Sequence, residues 1–343
     1  MSKILLLIIA ILCIAVLIIC GSLYLINNRM LQMQNDNKVQ KNIEEFLPLC
    51  YRYFIEGYPT ETLENIQNPH QIKAMEIILT KYIHLLSDQD VIIRIHSYAE
   101  KNLYVHYKKN LRSRRWGIRI NALYKILDFQ MQSLAPDVLE LLNSSREFSQ
   151  KEYFEMYKVI ALLMPEQLMK PLKSSTNRIS NTELYNVLVL LEEDSIKEIM
   201  QTFVSLTQNQ KIAVIDTIGS KSLLECRDFL HQAIKDENIE IRLHALKAIL
   251  EIGFVQSIEV YEPFFYADDW RERMLFAKLL KYFLLDEIMD YLKVLISDRS
   301  WWVRYHTVQM IADQKNGEKV LKVLYRQTED PYAKEIILES LGA

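Results

Sequence analysis

Residues 297–311 read SDRSWWVRYHTVQMI and carry the pattern that decides the fold. Asp298 stands six residues before Arg304, an aliphatic residue directly precedes the arginine, and the small residue Thr307 follows three positions after it. A fixed pattern that returns every 25 to 35 residues or so is typical of a repeat protein. The other copies are Asp236, Ile241, Arg242 and Ala245; Asp88, Ile93, Arg94 and Ser97; and Ser113, Ile118, Arg119 and Ala122.

This frame has a local physical explanation. An aspartate after an apolar helix end can accept hydrogen bonds from the free N–H groups that open the next helix. The aliphatic and small positions lie on one face of that helix, where the small residue permits close approach of a neighbour. The arginine, one turn in, can reach an aspartate of its own or the adjacent repeat. We therefore predict a structural ladder of Asp88, Arg94, Arg119, Asp236, Arg242, Asp298 and Arg304.

The frame resembles HEAT repeats, whose second helix usually opens with Asp, then Val-Arg, then a small residue. This resemblance implies an all-α fold, an α-solenoid of HEAT-like or armadillo-type helix pairs. The alternative is a generic helical bundle in which the aspartates and arginines recur by coincidence. The clearest repeats are expected at 88–126, 229–253, 264–283, 291–314 and 323–343.

The copies match the repeat frame to different degrees. Between Arg119 and Arg242 the frame fades over about four repeat lengths, where we expect degenerate repeats, with an insertion as the alternative. In ADDWRERMLFAKLL, Met274 stands where the alignment places the arginine, and Arg271 or Arg273 is the candidate substitute. One rung of the predicted ladder is therefore in doubt.

The N-terminal segment predicts a membrane anchor. Residues Ile4–Ile26 contain no charge and, at about 1.5 Å per residue, can cross a hydrocarbon core of about 30 Å. A cleaved signal peptide should have an apolar region of about 7 to 15 residues that ends in a small-x-small site, and neither feature is present. We expect a single uncleaved span at 1–26, a polar stalk at 27–42 and the helical solenoid at 43–343.

The charges that flank the span favour a cytoplasmic solenoid. Only Lys3 precedes the span, whereas Arg29, Lys38 and Lys41 follow it. The positive-inside bias counts Lys and Arg close to the span. Because the difference is small, an extracytoplasmic domain is the alternative.

No catalytic or metal-binding motif stands out. His96, His244 and His306 each lie two residues after a repeat arginine, but helices stacked about 8 to 10 Å apart place the last two on the order of 20 Å apart, too far to share a metal. HEAT-like di-iron hydroxylases carry His-Glu dipeptides, and none occurs here. Cys50 and Cys226 lie in apolar patterns typical of buried thiols. We expect no enzyme activity, cofactor, metal or small-molecule substrate, and the net charge of −3 disfavours nucleic acid as a partner.

A basic, aromatic stretch, KNLYVHYKKNLRSRRWGIR, covers residues 101–119. In a cytoplasmic domain these cations can rest on anionic lipid head groups, at roughly 1 kcal/mol each near the surface. The alternative is a solvated helix and linker. The candidate lipid- or partner-facing residues are Lys101, Lys108, Lys109, Arg112, Arg114 and Arg115.

Aromatic side chains are concentrated in two C-terminal copies. Adjacent tryptophans on a helix point about 100° apart, so Trp301 and Trp302 are not both expected to be buried in one seam. Exposed Trp, Tyr and Arg are the usual anchors of protein interfaces. The alternative is thick core packing between the repeats. The candidate partner-binding residues are Trp270, Trp301, Trp302, Phe265 and Tyr266.

These patterns favour a membrane-anchored HEAT-repeat scaffold or adaptor that binds a protein partner without catalysis. Solenoids leave long surfaces for partners, and a single span holds such a surface at high effective concentration near other membrane proteins. One alternative is a peripheral, lipid-contacting structural protein of the bacterial envelope. Another, by analogy with short-anchored HEAT-like proteins, is an accessory subunit of a membrane enzyme such as a glycosyltransferase.

Overall fold

The structure is a computed structural model that describes residues 3–64, 66, 68–169, 172 and 178–342, with side-chain surroundings from residue 11 onward. In these residues every regular element is helical and no strand occurs. The chain divides into two compact units, Met1–Phe148 and Ser149–Ala343. The prediction of an all-α chain built from helix pairs is confirmed.

The described part of the first unit holds α1 (Lys3–Cys50), α2 (Pro69–Leu85), α3 (Gln89–Asn102), α4 (Tyr104–Leu111), α5 (Trp116–Asp128) and α6 (Ala135–Asn143). The described part of the second unit holds α7 (Gln150–Leu163), α8 (Asn181–Leu188), α9 (Glu193–Gln201), α10 (Gln208–Ser220), α11 (Arg227–Ala233), α12 (Ile239–Ile252), α13 (Glu262–Phe265), α14 (Trp270–Leu279), α15 (Leu285–Leu295), α16 (Trp301–Ala312), α17 (Gly317–Gln327) and α18 (Pro331–Leu341).

The first helix runs without a break from the uncharged segment through the polar stalk. At its far end Phe46 and Cys50 are buried, and α1 packs against α2. A π-helical turn, Tyr51–Ile55, follows and buries Phe54. Gly57, with a φ of +79°, then turns the chain in the left-handed region that glycine tolerates. The C-terminal end of α1 thus belongs to the core of the first unit.

Two kinds of polar signal start the helices of the second unit. In a capping box, a Ser or Thr side chain and a Glu or Gln three residues later each accept from the other residue's backbone N–H. Such pairs are Ser149–Glu152 for α7, Ser180–Glu183 for α8 and Thr207–Gln210 for α10. The caps Asn238, Asp269 and Asp330 instead accept from the N–H two residues ahead, at α12, α14 and α18. Each cap stabilises its helix by about 1 kcal/mol.

In the second unit the stacked layer contains α7, α8, α10, α12, α14, α16 and α18, each packed on the next. The intervening helices pair with them, for example α11 with α12 and α15 with α16. Small buried residues allow this close stacking: Ala245 and Thr307 are fully buried. At Gly219 an added Cβ would lie only 2.9 Å from the Cα of Ala248. Repeated helix pairs therefore form this unit.

Candidate partner-binding surface

The repeat arginine closes its own loop through backbone carbonyls. Nη1 of Arg242 donates to the carbonyl oxygens of Asp236 and Glu237, at 3.0 Å each. The Asp236 carboxylate instead accepts from the N–H of Asn238 at 2.8 Å. Nε of Arg242 reaches the next repeat, where it donates to Oε1 of Glu272 at 2.6 Å. The arginine therefore ties two repeats together.

In the next copy of the repeat, the position of the repeat arginine belongs to Arg273 and not to Met274. Nη1 of Arg273 donates to the carbonyls of Ala267 and Asp268, at 2.7 and 2.8 Å, six and five residues earlier, as Arg242 does in its own loop. The repeat frame of this copy therefore lies one residue earlier than the comparison of the repeat sequences indicated. Arg273 also pairs with both carboxylate oxygens of Asp298, at 2.7 and 2.9 Å. That ion pair raises the pKa of the guanidinium.

Two further copies use the same loop closure. Nη1 of Arg304 donates to the Asp298 carbonyl at 2.6 Å. Arg119 donates to the carbonyls of Ser113 and Arg114 at 3.0 Å each. Both arginines are the fourth residue of their helix, which places the guanidinium over the preceding loop. Arg119 and Arg304 therefore have a structural role in their repeats, since each holds the loop before its helix.

The Asp88 copy differs in geometry. Asp88 itself caps α3, since its side chain accepts from two backbone N–H groups at the start of that helix. Arg94 is therefore the sixth residue of its helix, and its Nε donates to the carbonyl of Phe54 at 2.8 Å. Here the arginine fixes the π-helical turn and not its own loop.

An exposed group of aromatic rings covers the first turns of α14 and α16. Trp270 and Trp302 stack with ring centroids 6.4 Å apart and planes 22° apart. Trp301 meets Trp302 edge-on at 4.8 Å and stacks on Tyr305 at 4.9 Å, while Trp302 stacks on His306 at 6.2 Å. The three indoles remain 38%, 46% and 49% exposed for Trp270, Trp301 and Trp302. We call these five residues the tryptophan cluster.

Both Trp301 and Trp302 are thus exposed, whereas the sequence indicated only that they would not both be buried in one seam. Each lies in the first turn of α16, and the edge of one indole meets the face of the other. The exposed area is therefore larger and more rigid than a lone tryptophan would give.

Phe265 and Tyr266 form a separate aromatic group. Phe265 is half-buried and packs edge-on against Tyr291 at 5.1 Å and against Phe276 at 5.7 Å. Tyr266 is 72% exposed and meets only the edge of Phe265, at 4.7 Å. Among the described residues no ring contact joins this pair to the tryptophan cluster. Phe265 therefore serves the packing between repeats.

A groove of about 610 Å³ adjoins the tryptophan cluster, and His306 belongs to both. Lys278 is half-buried, and within the described chain its ammonium group has no carboxylate within ion-pairing distance. Burial lowers the pKa of Lys278, and Lys247 and Lys281 lower it further. We call this site the lysine groove, lined by Glu251, Lys278, Lys281, Tyr282, His306 and Asp313.

A smaller hollow of about 300 Å³ continues from the lysine groove across Glu251, which lines both. His244 Nδ1 lies 2.5 Å from Oδ1 of Asp216 in this hollow. Burial raises the pKa of Glu251, and the charge of Asp216 adds to that effect. A polar strip therefore runs across α10, α12, α14 and α16.

The three repeated histidines have unlike surroundings. His244 bonds to Asp216, and His306 stacks on Trp302. Burial lowers the pKa of His96 in the first unit. Across residues 11–64, 68–169 and 178–342, no group of three His, Cys, Asp or Glu side chains is arranged to hold a metal ion.

The basic stretch is partly neutralised by acidic residues from other elements. Among its predicted residues, Lys101 pairs with Glu64 (2.8 Å), Lys108 with Asp137 (3.1 Å) and Arg112 with Glu140 (3.2 Å). Lys109, Arg114 and Arg115 are exposed, and the described residues give them no ion pair. Only half of the predicted cationic surface is therefore free for another partner.

A polar cavity of about 560 Å³ in the first unit gave no signal in the sequence. The buried Glu76 carboxylate accepts from the Tyr107 hydroxyl at 2.7 Å and from Lys73 at 3.1 Å. Burial raises the pKa of Tyr107, and Glu76 raises it further. Lys125 at its edge pairs with Asp128 at 2.8 Å. These groups satisfy one another, so the network stabilises the first unit.

The fold and surface define the class: a helical-repeat protein with an exposed aromatic cluster beside a groove lined by lysines and carboxylates. No family model matches the chain, and no curated protein matches it. Similar solved structures include Kap121p bound to Nup53p, with 12% identity and a TM-score of 0.43, over 90% of this chain and 40% of that chain.

Two engineered proteins are also similar. One is 14% identical, with a TM-score of 0.37, over 89% of this chain and 98% of its own. A designed armadillo repeat protein is 15% identical, with a TM-score of 0.19, over 77% of this chain and 97% of its own. At these TM-scores the fold assignment rests on the helix pairs of the chain itself.

Proposed function

We propose that this protein is a membrane-anchored helical-repeat scaffold that binds a protein partner through the tryptophan cluster. The observation that carries the proposal is the group of part-exposed indoles at the surface, in which Trp302 stacks on Trp270 and meets Trp301 edge-on. Rings fixed by their neighbours bury apolar area on a partner with little further loss of side-chain entropy. Tryptophan is also among the residues most enriched at interface hot spots.

The first helix supports attachment to a membrane. An 18-residue window within Ile11–Ile55 is apolar enough to cross a bilayer, and none of it is buried against the rest of the chain. A signal sequence passes the same test of length and composition. Arg29, Lys38 and Lys41 favour a cytoplasmic second unit. A reporter fused to the C-terminal end tests this orientation: activity only outside the cell would reverse it.

An anchored scaffold meets membrane-associated proteins at high effective concentration, so the proposed partner is one of these. By the analogy drawn above, a membrane enzyme such as a glycosyltransferase is a candidate. The scaffold itself is proposed to act by holding this partner, without chemistry of its own.

Site-specific photo-crosslinking in cells tests the proposed surface. A benzophenone amino acid in place of Trp302 is expected to yield a discrete crosslinked product. The matched control places it at Val204, which is 91% exposed in the same unit and lies outside the cluster. Crosslinks of equal yield at both positions, or none at Trp302, would contradict the proposal.

A second candidate function is contact with lipid through the first unit. The observation that favours it is the run of exposed Lys109, Arg114 and Arg115 beside the exposed Trp116. Flotation of a chain without residues 1–26 on anionic and on neutral vesicles tests it. Lipid contact predicts flotation with anionic vesicles that Arg114→Gln with Arg115→Gln reduces, and no flotation would exclude it.

A further inference from the structure

We propose that the lysine groove receives the carboxylates of an acidic peptide segment of the partner, while an apolar side chain of the same segment rests on the tryptophan cluster. This inference rests on the proposed function, because it specifies the chemistry of the partner segment. It assigns the two neighbouring surfaces of the second unit to one ligand.

The cluster and the groove form one continuous surface. His306 stacks on Trp302 and also lines the groove. On α14, Trp270 and Lys278 lie eight residues apart, in the same stripe of the helix and about 12 Å apart along its axis. An extended peptide advances about 3.3 Å per residue. About four residues would therefore separate the apolar side chain from the first carboxylate.

The lysines at the groove have no ion pair. Lys278 is half-buried, Lys281 is exposed beside it, and Lys247 lines the adjoining hollow, none with an ion pair in the part of the chain that the structure describes. The Lys281 ammonium lies 4.7 Å from the centre of the Tyr282 ring. Like charges that share a partly desolvated site disfavour one another's charged form. A bound carboxylate removes this repulsion.

Several other cations of the same unit are paired. Lys293 and Lys322 each bond to an acidic residue on their own helix, and Arg271 pairs with Asp269 and Glu240. Exposed lysines elsewhere in the unit, such as Lys235 and Lys319, also have no ion pair among the described residues. Lys278 differs from them because it is half-buried, and no described side chain or carbonyl pairs with its ammonium group.

The acidic residues of the groove limit what it can hold. Glu251 and Asp313 line it without pairing with its lysines. Two lysines and two carboxylates line the groove, and the adjoining hollow adds Lys247 and Asp216, so the site has no charge excess to hold a polyanion such as nucleic acid. A short segment in which a carboxylate reaches the unpaired Lys278 and an apolar side chain rests on the adjoining rings fits both surfaces, and a peptide can supply both groups.

Fluorescence anisotropy of the full chain in neutral lipid nanodiscs tests the inference. The probe is a fluorescein-labelled peptide of phenylalanine, a triglycine spacer and a run of glutamates, and its matched control has glutamines in place of the glutamates. The glutamate peptide is expected to bind at least about tenfold more tightly and to weaken as salt rises.

Substitutions locate the binding. Lys278→Gln with Lys281→Gln is expected to weaken the glutamate peptide about tenfold and to leave the glutamine peptide unchanged. Lys293→Gln with Lys319→Gln removes the same charge from α15 and α17 outside the groove and should change the affinity less than about twofold. Equal affinity for both peptides, or no effect of the groove substitutions, would overturn the inference.

Further outcomes distinguish the peptide inference from binding of free anions and from the proposed function. If inorganic phosphate binds as tightly as the glutamate peptide and displaces it, the groove is a site for free anions and the peptide inference is overturned. If peptide discrimination is lost while the photo-crosslink at Trp302 persists, this inference fails and the proposed function stands. If the crosslink is absent while discrimination holds, the proposed function fails alone.

Discussion

Arg273 of α14 and Asp298, in the loop before α16, form a two-point ion pair between consecutive repeats, with both side chains less than a tenth exposed. Arg273 also binds the carbonyls of its own loop, and Asp298 accepts from the N–H of Ser300 at 2.7 Å. The pair thus joins one loop to the next helix start. Because each charge is buried, removal of one leaves the other uncompensated.

We expect Arg273→Ala to lower the free energy of unfolding by about 3–5 kcal/mol, the usual cost of breaking a buried pair. Met274→Leu, the neighbouring position that the sequence alignment favoured, should cost less than about 1.5 kcal/mol because it conserves volume. Urea denaturation followed by tryptophan fluorescence measures both. Similar losses for the two variants would contradict the register described here.

Gly219 and Gly117 provide a matched pair of glycine positions. A Cβ at Gly219 would meet the Ala248 backbone at 2.9 Å, whereas at Gly117 nothing lies within 4 Å. Gly219→Ala should therefore destabilise the second unit by about 1–3 kcal/mol through overpacking. Gly117→Ala should stabilise the first by about 0.4–1 kcal/mol, since it restricts the unfolded chain. Chemical denaturation that shows equal effects would refute the close approach of α10 and α12.

The thiols outside the apolar span should be inert in the native protein. Cys50 is fully buried, and burial raises its pKa to about 12. Cys226 is 2% exposed, and burial raises its pKa as well. At pH 8 both remain protonated thiols, which are poor nucleophiles. Mass spectrometry after treatment with a water-soluble maleimide should find neither modified before urea is added. Rapid native labelling of Cys50 would contradict its placement in the core.

Acidic-peptide binding should strengthen as pH falls from 8 to 5.5. Burial and the charge of Lys278 lower the pKa of His306, so this imidazole is neutral at pH 7. A bound carboxylate favours its protonated form, and binding therefore takes up a proton. Protonation of Glu251, whose pKa is raised, acts in the same direction. Lys247, Lys278, Lys281 and Asp313 are the other charged groups at this site.

The size of the pH effect should match one part-exposed ion pair, about two- to fivefold in affinity. His306→Gln should reduce it, which anisotropy titrations at each pH will show. Affinity that falls on acidification above pH 5.5, where the peptide carboxylates stay ionised, would contradict this role of His306.

Helical periodicity and the spacing of Asp236 from Arg242 were sufficient to predict an all-helical solenoid, although the frame did not mark the part of the second unit before Asp236. The register near Ala267 was ambiguous because neither possible alignment satisfies the whole frame: Asp268 lies six residues before Met274, and Arg273 lies six residues after Ala267. Only the three-dimensional loop, closed by Arg273, distinguishes them. In the middle of the chain, the capping box of Ser149 and Glu152 was a readable signal for α7.

The surfaces were harder to predict than the fold. Trp302 was recognised as a candidate because exposed tryptophans anchor interfaces, but its stack with Trp270 joins residues of different repeats. Asp137 neutralises part of the basic stretch from a later helix, which no local charge pattern reveals. The unpaired state of Lys278 likewise depends on which helices pack around it. Long-range packing therefore decides which predicted residues are available to a partner.

The most direct test of the partner-binding claim compares two variants in co-purification after mild crosslinking in cells. Trp270→Ala with Trp302→Ala removes the stacked pair, and Trp116→Ala removes an equally exposed tryptophan from the first unit. A hot-spot residue contributes about 2 kcal/mol or more, and the values of contacting residues do not add, so we predict at least the roughly thirtyfold loss of partner that one hot spot gives for the double variant and little change for the control. Equal recovery of the same partner by both variants would contradict the tryptophan cluster as the binding surface.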